Sequence, residues 1–164
     1  MKIALSTDHA GFEAVGSLRQ FIESLGHEVV YLGPESFDPN DDYPEYISRA
    51  AKAIAGGECE MGIILGGSGQ GEAMAANRIK GVRAAVFYGP VLAKKAVDAE
   101  GNTSDDPYEI VKLSRQHNNA NVLSLSGRFL DQDEMNNAIQ VWLATPFTGA
   151  ERHDRRNQQL DELS

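Results

Sequence analysis

Apolar residues along this chain fall into two alternating kinds of pattern. Short continuous runs, KIALS at 2–6, EVVYL at 28–32, MGIIL at 61–65, VRAAVF at 82–87 and NVLSL at 121–125, have the length of β-strands. The unbroken apolar character of MGIIL and RAAVF suits strands covered on both faces. Between the runs stand stretches with three- and four-residue spacing. Phe12, Val15, Leu18, Ile22 and Leu25 form one stripe before Gly26, which predicts an amphipathic helix over 11–25 ended by a glycine. A second helix is predicted over 44–56, where Pro44 stands in the first turn and its missing N–H costs little. Further helices are predicted over about 71–79 and 132–144. Five strands alternating with helices predict an α/β protein with a doubly wound parallel sheet and right-handed crossovers.

Two segments depart from this plan. Residues 98–109, DAEGNTSDDPYE, are acidic and turn-rich and read as a solvated surface insertion between the fourth and fifth strands. After TPFTG the last segment, within 145–164, carries ERHDRRNQQLDEL. A helix with so few apolar positions has little reason to be stable unless it docks on something.

Composition narrows the classes. With 164 residues one domain with a real core is expected and two are not. No apolar run approaches the roughly 20 residues that span a bilayer, and Asp8 and His9 stand where a signal peptide would still be apolar. No membrane association is expected, and a cytoplasmic setting is. The net charge of −9 disfavours a nucleic-acid partner, so an anionic ligand must find locally concentrated positive groups. The single cysteine, Cys59, excludes an intramolecular disulfide framework and a multi-cysteine metal site.

The candidate chemistry lies in two loops. In a doubly wound sheet, ligands bind beyond the carboxyl ends of the strands where the strand order reverses. In the order 2-1-3-4-5 that point lies between strands one and three. Thr7-Asp8-His9-Ala10-Gly11 would then face GGSGQG, residues 66–71. The amides of such a glycine loop bind a phosphate or a transient oxyanion equally well. No Lys-Ser/Thr pair follows the glycines, so the loop is not a Walker A motif. Glu72 is either a first-turn acid favoured by the helix dipole or a general base beside an oxyanion hole. Asp8 is either a helix cap or a site residue, and His9 a candidate anion ligand. His117, in RQHNNANVL, offers acid–base chemistry near neutral pH. Arg152 and Arg156 stand at i and i+4, where a helix presents both guanidinium groups to a phosphate; Arg128, in SGRFL, is a further candidate.

STDHAGFE, DDYPEY, GGSGQGEAMAANRIKGVRAAV, SRQHNNANVLSLSGR and ERHDRR occur in the order found in type B ribose-5-phosphate isomerases. Apart from 98–112, nearly the whole chain resembles that family and the wider group of sugar-phosphate isomerases that includes galactose-6-phosphate isomerase. The resemblance implies a Rossmann-like α/β/α sandwich, a single domain over 1–164 with a C-terminal helical extension, and a homodimer or dimer of dimers with shared active sites. It implies isomerisation of a phosphorylated sugar, ribose 5-phosphate to ribulose 5-phosphate, through a cis-enediolate, without metal or cofactor. Many members carry a cysteine base directly before the glycine loop. Gly66 stands there in this chain, so it resembles the branch in which a glutamate after the loop, here Glu72, is the base. Ser68 would assist that base, and the amides of Gly67, Ser68, Gly69, Gln70 and Gly71 would hold the enediolate. His117 would open the sugar ring, helped by Asp8 and Tyr43, and Asn118 would bind a substrate hydroxyl. His9, Arg128, Arg152 and Arg156 would grip the phosphate, some of them across the dimer interface, with 145–164 docked on the partner subunit. Two alternatives stay open: a hexose-6-phosphate isomerase of allose or galactose type, which the 98–112 insertion would permit, and a phospho-ligand module without chemistry.

Overall fold

Alternation along each strand decides which side chains each face of the sheet buries. In the computed structural model, which describes residues 1–163, the strands are β1 (Lys2–Thr7), β2 (Glu28–Tyr31), β3 (Met61–Gly66), β4 (Ala84–Phe87) and β5 (Val122–Ser126). The helices are α1 (Val15–Ser24), α2 (Tyr43–Ala55), α3 (Gln70–Ala76), α4 (Glu109–Gln116), α5 (Gln132–Ala144) and α6 (Glu151–Asp161). Ile3, Leu5, Ile63, Leu65, Leu123 and Leu125 join Leu18, Ile22, Val111, Ile139 and Trp142 in the core beneath α1, α4 and α5. Ala4, Ile64 and Val122 face the other way and pack with Ile47, Ala50 and Ile54 of α2 and Ala76 of α3. The result is the expected α/β/α sandwich. Cys59 is buried in the second cluster, and burial pushes its thiol up, as suits a structural cysteine.

All strand pairings are parallel, in the order β2-β1-β3-β5-β4. This corrects the expected 2-1-3-4-5: β5 lies between β3 and β4. All five β5 residues are buried, whereas β4 buries only Phe87. The shorter, less covered strand takes the edge, where a strand must not offer a long apolar template. Val82 and Arg83, read as strand from their run, precede β4. The reversal between β1 and β3 is unaffected by the correction.

The altered order carries the glycine loop. Gly66 is paired with Ser126, and the Ser124 and Ser126 hydroxyls donate to the carbonyls of Gly69 and Gly67 at 2.6 and 3.1 Å. The amides of Gly127 and Arg128 donate to the carbonyls of Gly66 and Gly67 at 2.8 and 3.2 Å.

Three boundaries differ from expectation. The helix predicted from residue 11 starts at Val15; before it, His9–Gly11 make a 3-10 turn capped by Asp8, whose carboxylate accepts from the Ala10 amide at 2.9 Å. The 98–112 insertion is irregular only to Tyr108, because Glu109 opens α4. That helix is short and mostly polar, and it is secured by burial of Val111 and Arg115. The Arg115 guanidinium donates to Asn119, Ala120 and Thr145 and lies over the Trp142 ring. Finally, α6 is anchored on its own chain by polar contacts. The Asn157 side chain donates to the His117 carbonyl at 3.2 Å, and Asp161 pairs with Arg83 at 2.7 Å. The last position of the expected extension, Ser164, lies outside the described residues. Among the described residues, no helix is long and apolar enough to cross a membrane.

Leu18 is fully buried in the cluster that holds Trp142, the only tryptophan. Leu18→Ala should lower unfolding stability by about 2–5 kcal/mol, read as an earlier urea midpoint in Trp142 emission.

Candidate active site

The loops after β1, β3 and β5 converge at the carboxyl ends of the strands. They enclose a cleft of about 460 Å³ lined by Asp8, His9, Ala10, Tyr43, Gly67, Ser68, Gly71, Glu72, Arg128 and Phe129. It lies at the reversal between β1 and β3, as doubly wound sheets dictate. Thr7 ties the two strand ends together by donating to the Leu65 carbonyl at 2.8 Å.

Glu72, in the first turn of α3, is only 4% exposed. Its carboxyl group fills the space that residue 66 leaves by lacking a side chain. A Cβ at Gly66 would stand 1.9 Å from Glu72 Oε1 and 2.0 Å from its Cδ. Gly69 holds φ at +75° where the loop turns into α3, with the Leu125 carbonyl 2.9 Å from where a Cβ would be, so both space and backbone call for glycine. The Tyr43 ring opens α2 and closes over Gly71, whose added Cβ would meet it at 2.7 Å. Burial holds the Glu72 carboxyl above the ordinary carboxylate range, and the Asp8 charge adds to this. The backbone N–H groups of Glu72 and Gly69 and the nearby His9 pull the other way without cancelling it. A carboxyl raised by desolvation is poised to take and return a proton.

Across the cleft, His9 is gripped from behind. Its Nδ1 lies 2.6 Å from Asp41 Oδ1, and its amide donates to the same oxygen at 3.2 Å. Asp8 Oδ2 is 3.7 Å from Nδ1. The Asp41 hydrogen bond raises the His9 ring above the ordinary histidine value, against the opposing effects of burial and Arg128. Asp8, His9 and Asp41 bring their polar atoms within 4.8 Å of one another. The hydrogen bond between Nδ1 and Oδ1 commits the closest pair to a proton, so the group reads as a charge-assisted pair rather than a metal centre.

A second group stands elsewhere. His117 caps the end of α4, ahead of the amino end of β5. The His153 ring lies flat on it, with centroids 4.2 Å apart and planes 10° apart. Arg152 donates to His153 Nε2 at 3.3 Å and to Glu100 at 2.9 and 3.3 Å. Burial lowers the His153 ring below the ordinary histidine value, and His117, Arg152 and Arg156 lower it further. The Asn118 carbonyl accepts from Arg83 at 3.0 Å, and Arg156 is exposed on α6.

The expected residues therefore divide. Asp8, His9, Tyr43, Gly67, Ser68, Gly71, Glu72 and Arg128 share the cleft. Gly69 and Gln70 sit in its loop behind the lining, where the Gln70 amide donates to the Ser68 hydroxyl at 3.3 Å. His117, Asn118, Arg152 and Arg156 are not among the cleft walls. A five-residue strand separates the two ends of the sheet by roughly 17 Å, so this chain's own His117 and Glu72 face different ends. The contact of Asp41 with His9 and the stacking of His153 on His117 do not follow from the sequence pattern. Nothing local separates Asp41 from Asp38 or Asp42, since its partner lies 32 residues away.

The chain matches the ribose/galactose isomerase family over residues 3–103 and 104–160. It is 33% identical over 162 residues to ribose-5-phosphate isomerase B of Mycolicibacterium paratuberculosis, covering 99% of this chain and 91% of the relative. The solved type B ribose 5-phosphate isomerase of Trypanosoma brucei superposes with a TM-score of 0.85 at 32% identity, covering 99% of this chain and 98% of the other. Ribose-5-phosphate isomerase B of Mycoplasma genitalium, solved with bound ribulose-5-phosphate, gives 0.82 at 32% identity over 99% and 95%.

A carboxyl group raised in the folded state adds stability below its unfolded range, and that stability is lost as pH rises through the folded value. Glu72 is such a group. Glu72→Gln should therefore melt higher than the wild-type protein at about pH 8, and the two should converge near pH 3.5, as thermal unfolding at both pH values will test.

Proposed function

The chain belongs to the ribose/galactose isomerase family, and on that premise we propose that it interconverts ribose 5-phosphate and ribulose 5-phosphate through a cis-enediolate. The observation that carries this reading is the buried, raised carboxyl of Glu72 beside Ser68 and the glycine loop. Glu72 takes the proton from C2 of the open aldose and returns it to C1, while a proton passes from O2 to O1 beside the Ser68 hydroxyl, and the two transfers together convert aldose to ketose with no net change in protons. The loop carbonyls are bonded to β5, and the Gly69 and Gln70 amides face Glu72 and Ser68, which supports the amides of Gly67, Ser68 and Gly71, with the Ser68 hydroxyl, as donors set in advance for the enediolate oxygens. His9 and Arg128 supply positive charge to the phosphate at the other wall of the cleft. Asp8, at 4% exposure, acts through its charge on both Glu72 and His9 and assists ring opening with Tyr43.

The remaining groups come from a second copy of the chain. In this reading His117 of the partner subunit protonates the ring oxygen, the partner's Asn118 binds a hydroxyl, and the partner's Arg152 and Arg156 complete the phosphate grip. The position of His117 ahead of β5, at the opposite end of the sheet from Glu72, supports completion by a symmetric dimer. The α6 helix, held to its own chain by His153, Asn157 and Asp161, keeps Arg156 on the outer surface. A hexose-6-phosphate substrate is the second reading, favoured by the family's naming of galactose beside ribose.

Glu72→Gln should lower kcat for ribose 5-phosphate by at least about a thousandfold while ribose 5-phosphate still binds; near-normal turnover would end the assignment. Turnover of ribose, allose and galactose phosphates, compared as kcat/KM, separates the two substrate readings. Exchange of solvent deuterium into C2 of none of them would leave only a binding module. Glu72→Gln and His117→Ala should each be inactive alone. Unfolded and refolded together, they should regain about a quarter of wild-type activity, since half the dimers then hold one intact site of two. No recovery would place both groups in one chain's site.

A further inference from the structure

His9 reaches the cleft with one ring nitrogen already committed. Its Nδ1 faces Asp41 Oδ1 at 2.6 Å, which leaves Nε2 to meet a ligand. Asp41 belongs to the loop between β2 and α2, yet its side chain is only 4% exposed. Among the described residues, its carboxylate hydrogen-bonds to His9 alone: Oδ1 accepts both the ring and the backbone N–H, and the buried Oδ2 has no partner. A buried carboxylate with an orphan oxygen is costly unless a charge lies against it. An imidazolium supplies that charge.

We propose that Asp41 is a positioning residue for the phosphate-bearing end of the substrate: its buried carboxylate holds His9 by Nδ1 and keeps the ring a cation whose Nε2–H meets the anion. The inference rests on reading the cleft as a sugar-phosphate site. A neutral ring held by the same bond would turn a lone pair, not a proton, toward the phosphate. The charged groups around His9 compete over this choice. Asp8 of the preceding loop and Asp41 favour the cation, Arg128 after β5 opposes it, and Glu72 of α3 faces it across the cleft with Tyr43 of α2. Asp41 makes the shortest contact, and its hydrogen bond has the largest effect on the ring. Ligand binding then has a pH window. It opens as the phosphate gains its second charge near pH 6 and closes as pH rises through the raised His9 value.

Asp41→Asn separates the charge from the tether, because an amide oxygen can still accept both His9 N–H groups. At about pH 7.5 the variant should raise KM for ribose 5-phosphate, and Kd for inorganic phosphate, by about ten- to a hundredfold with kcat changed far less. The basic limb of kcat/KM should move to lower pH, and the defect should shrink as pH falls toward about 6. In a His9→Gln background the same substitution should add nothing. An Asp41→Asn protein with wild-type KM and pH profile would overturn the proposal.

The substitution also buries an amide N–H where Oδ2 lacks a partner, so the variant could fold poorly. The wild-type protein tests the same point. In nitrogen-15 spectra of its histidine side chains, His9 should keep its Nδ1 proton and titrate above the ordinary histidine range. Titration at or below that range would also overturn the proposal. If no sugar phosphate is turned over but inorganic phosphate binding and the His9 titration respond as described, the isomerase reading fails and the role of Asp41 stands. If turnover is present and Asp41→Asn behaves as wild type, only the role of Asp41 fails.

Discussion

The contact on which the site depends is between an absent side chain and a buried carboxyl group. Glu72 lies where a Cβ on Gly66 would be, and much of the neighbouring structure follows from keeping it there. A carboxyl removed from water raises the energy of its charged form. The backbone N–H groups of Glu72 and Gly69 offset part of that, and Gly69 can offer its own only by holding a backbone conformation that other residues resist. The loop carbonyls are taken by β5 through Ser124, Ser126 and the Gly127 and Arg128 amides. Two serines inside a fully buried strand are therefore the counterpart of the glycines opposite them.

This lacing works only because β5 lies next to β3. Had β4 held that position, Val86, which is in register with Ser124, would have offered the loop no hydroxyl there, and Arg128 would have opened one strand further from Glu72. The same order fixes where the α4–β5 connection emerges. Arg83 and Arg115 hold residues 118–120 by their carbonyls at the amino end of the sheet. His117 is thereby carried as firmly as Glu72 is, at the far end of the same strands. Under the proposed function, association of two copies is what would bring these two groups together.

Most of the architecture was legible from pattern alone. The stripe from Val15 to Ile22, the apolar run of β3 and the 132–144 helix each follow from spacing, because burial of one face decides them. The glycine loop and its opposite loop were also legible, since the sheet's reversal point can be found without knowing the outer strands. What the pattern missed has long-range causes. The placement of β5 depends on the relative burial of two short strands. The α4 helix is secured by a buried arginine whose acceptors include Thr145, 30 residues on. Asp41 resembles any loop aspartate until His9, 32 residues earlier, lies against it. The division of the site residues between two ends of the sheet follows from whether each stands before or after its strand. That much can be read from a sequence once the strands are known.

The shared volume at Gly66 and Glu72 also couples the two positions. A side chain introduced at 66 would have to displace the carboxyl of Glu72 from its place, and a shorter residue at 72 leaves that space empty while 66 remains glycine. A change at either position alone therefore disturbs the packing of the other, so substitutions at 66 and 72 are expected to be non-additive, with the double change costing something other than the sum of the two single ones.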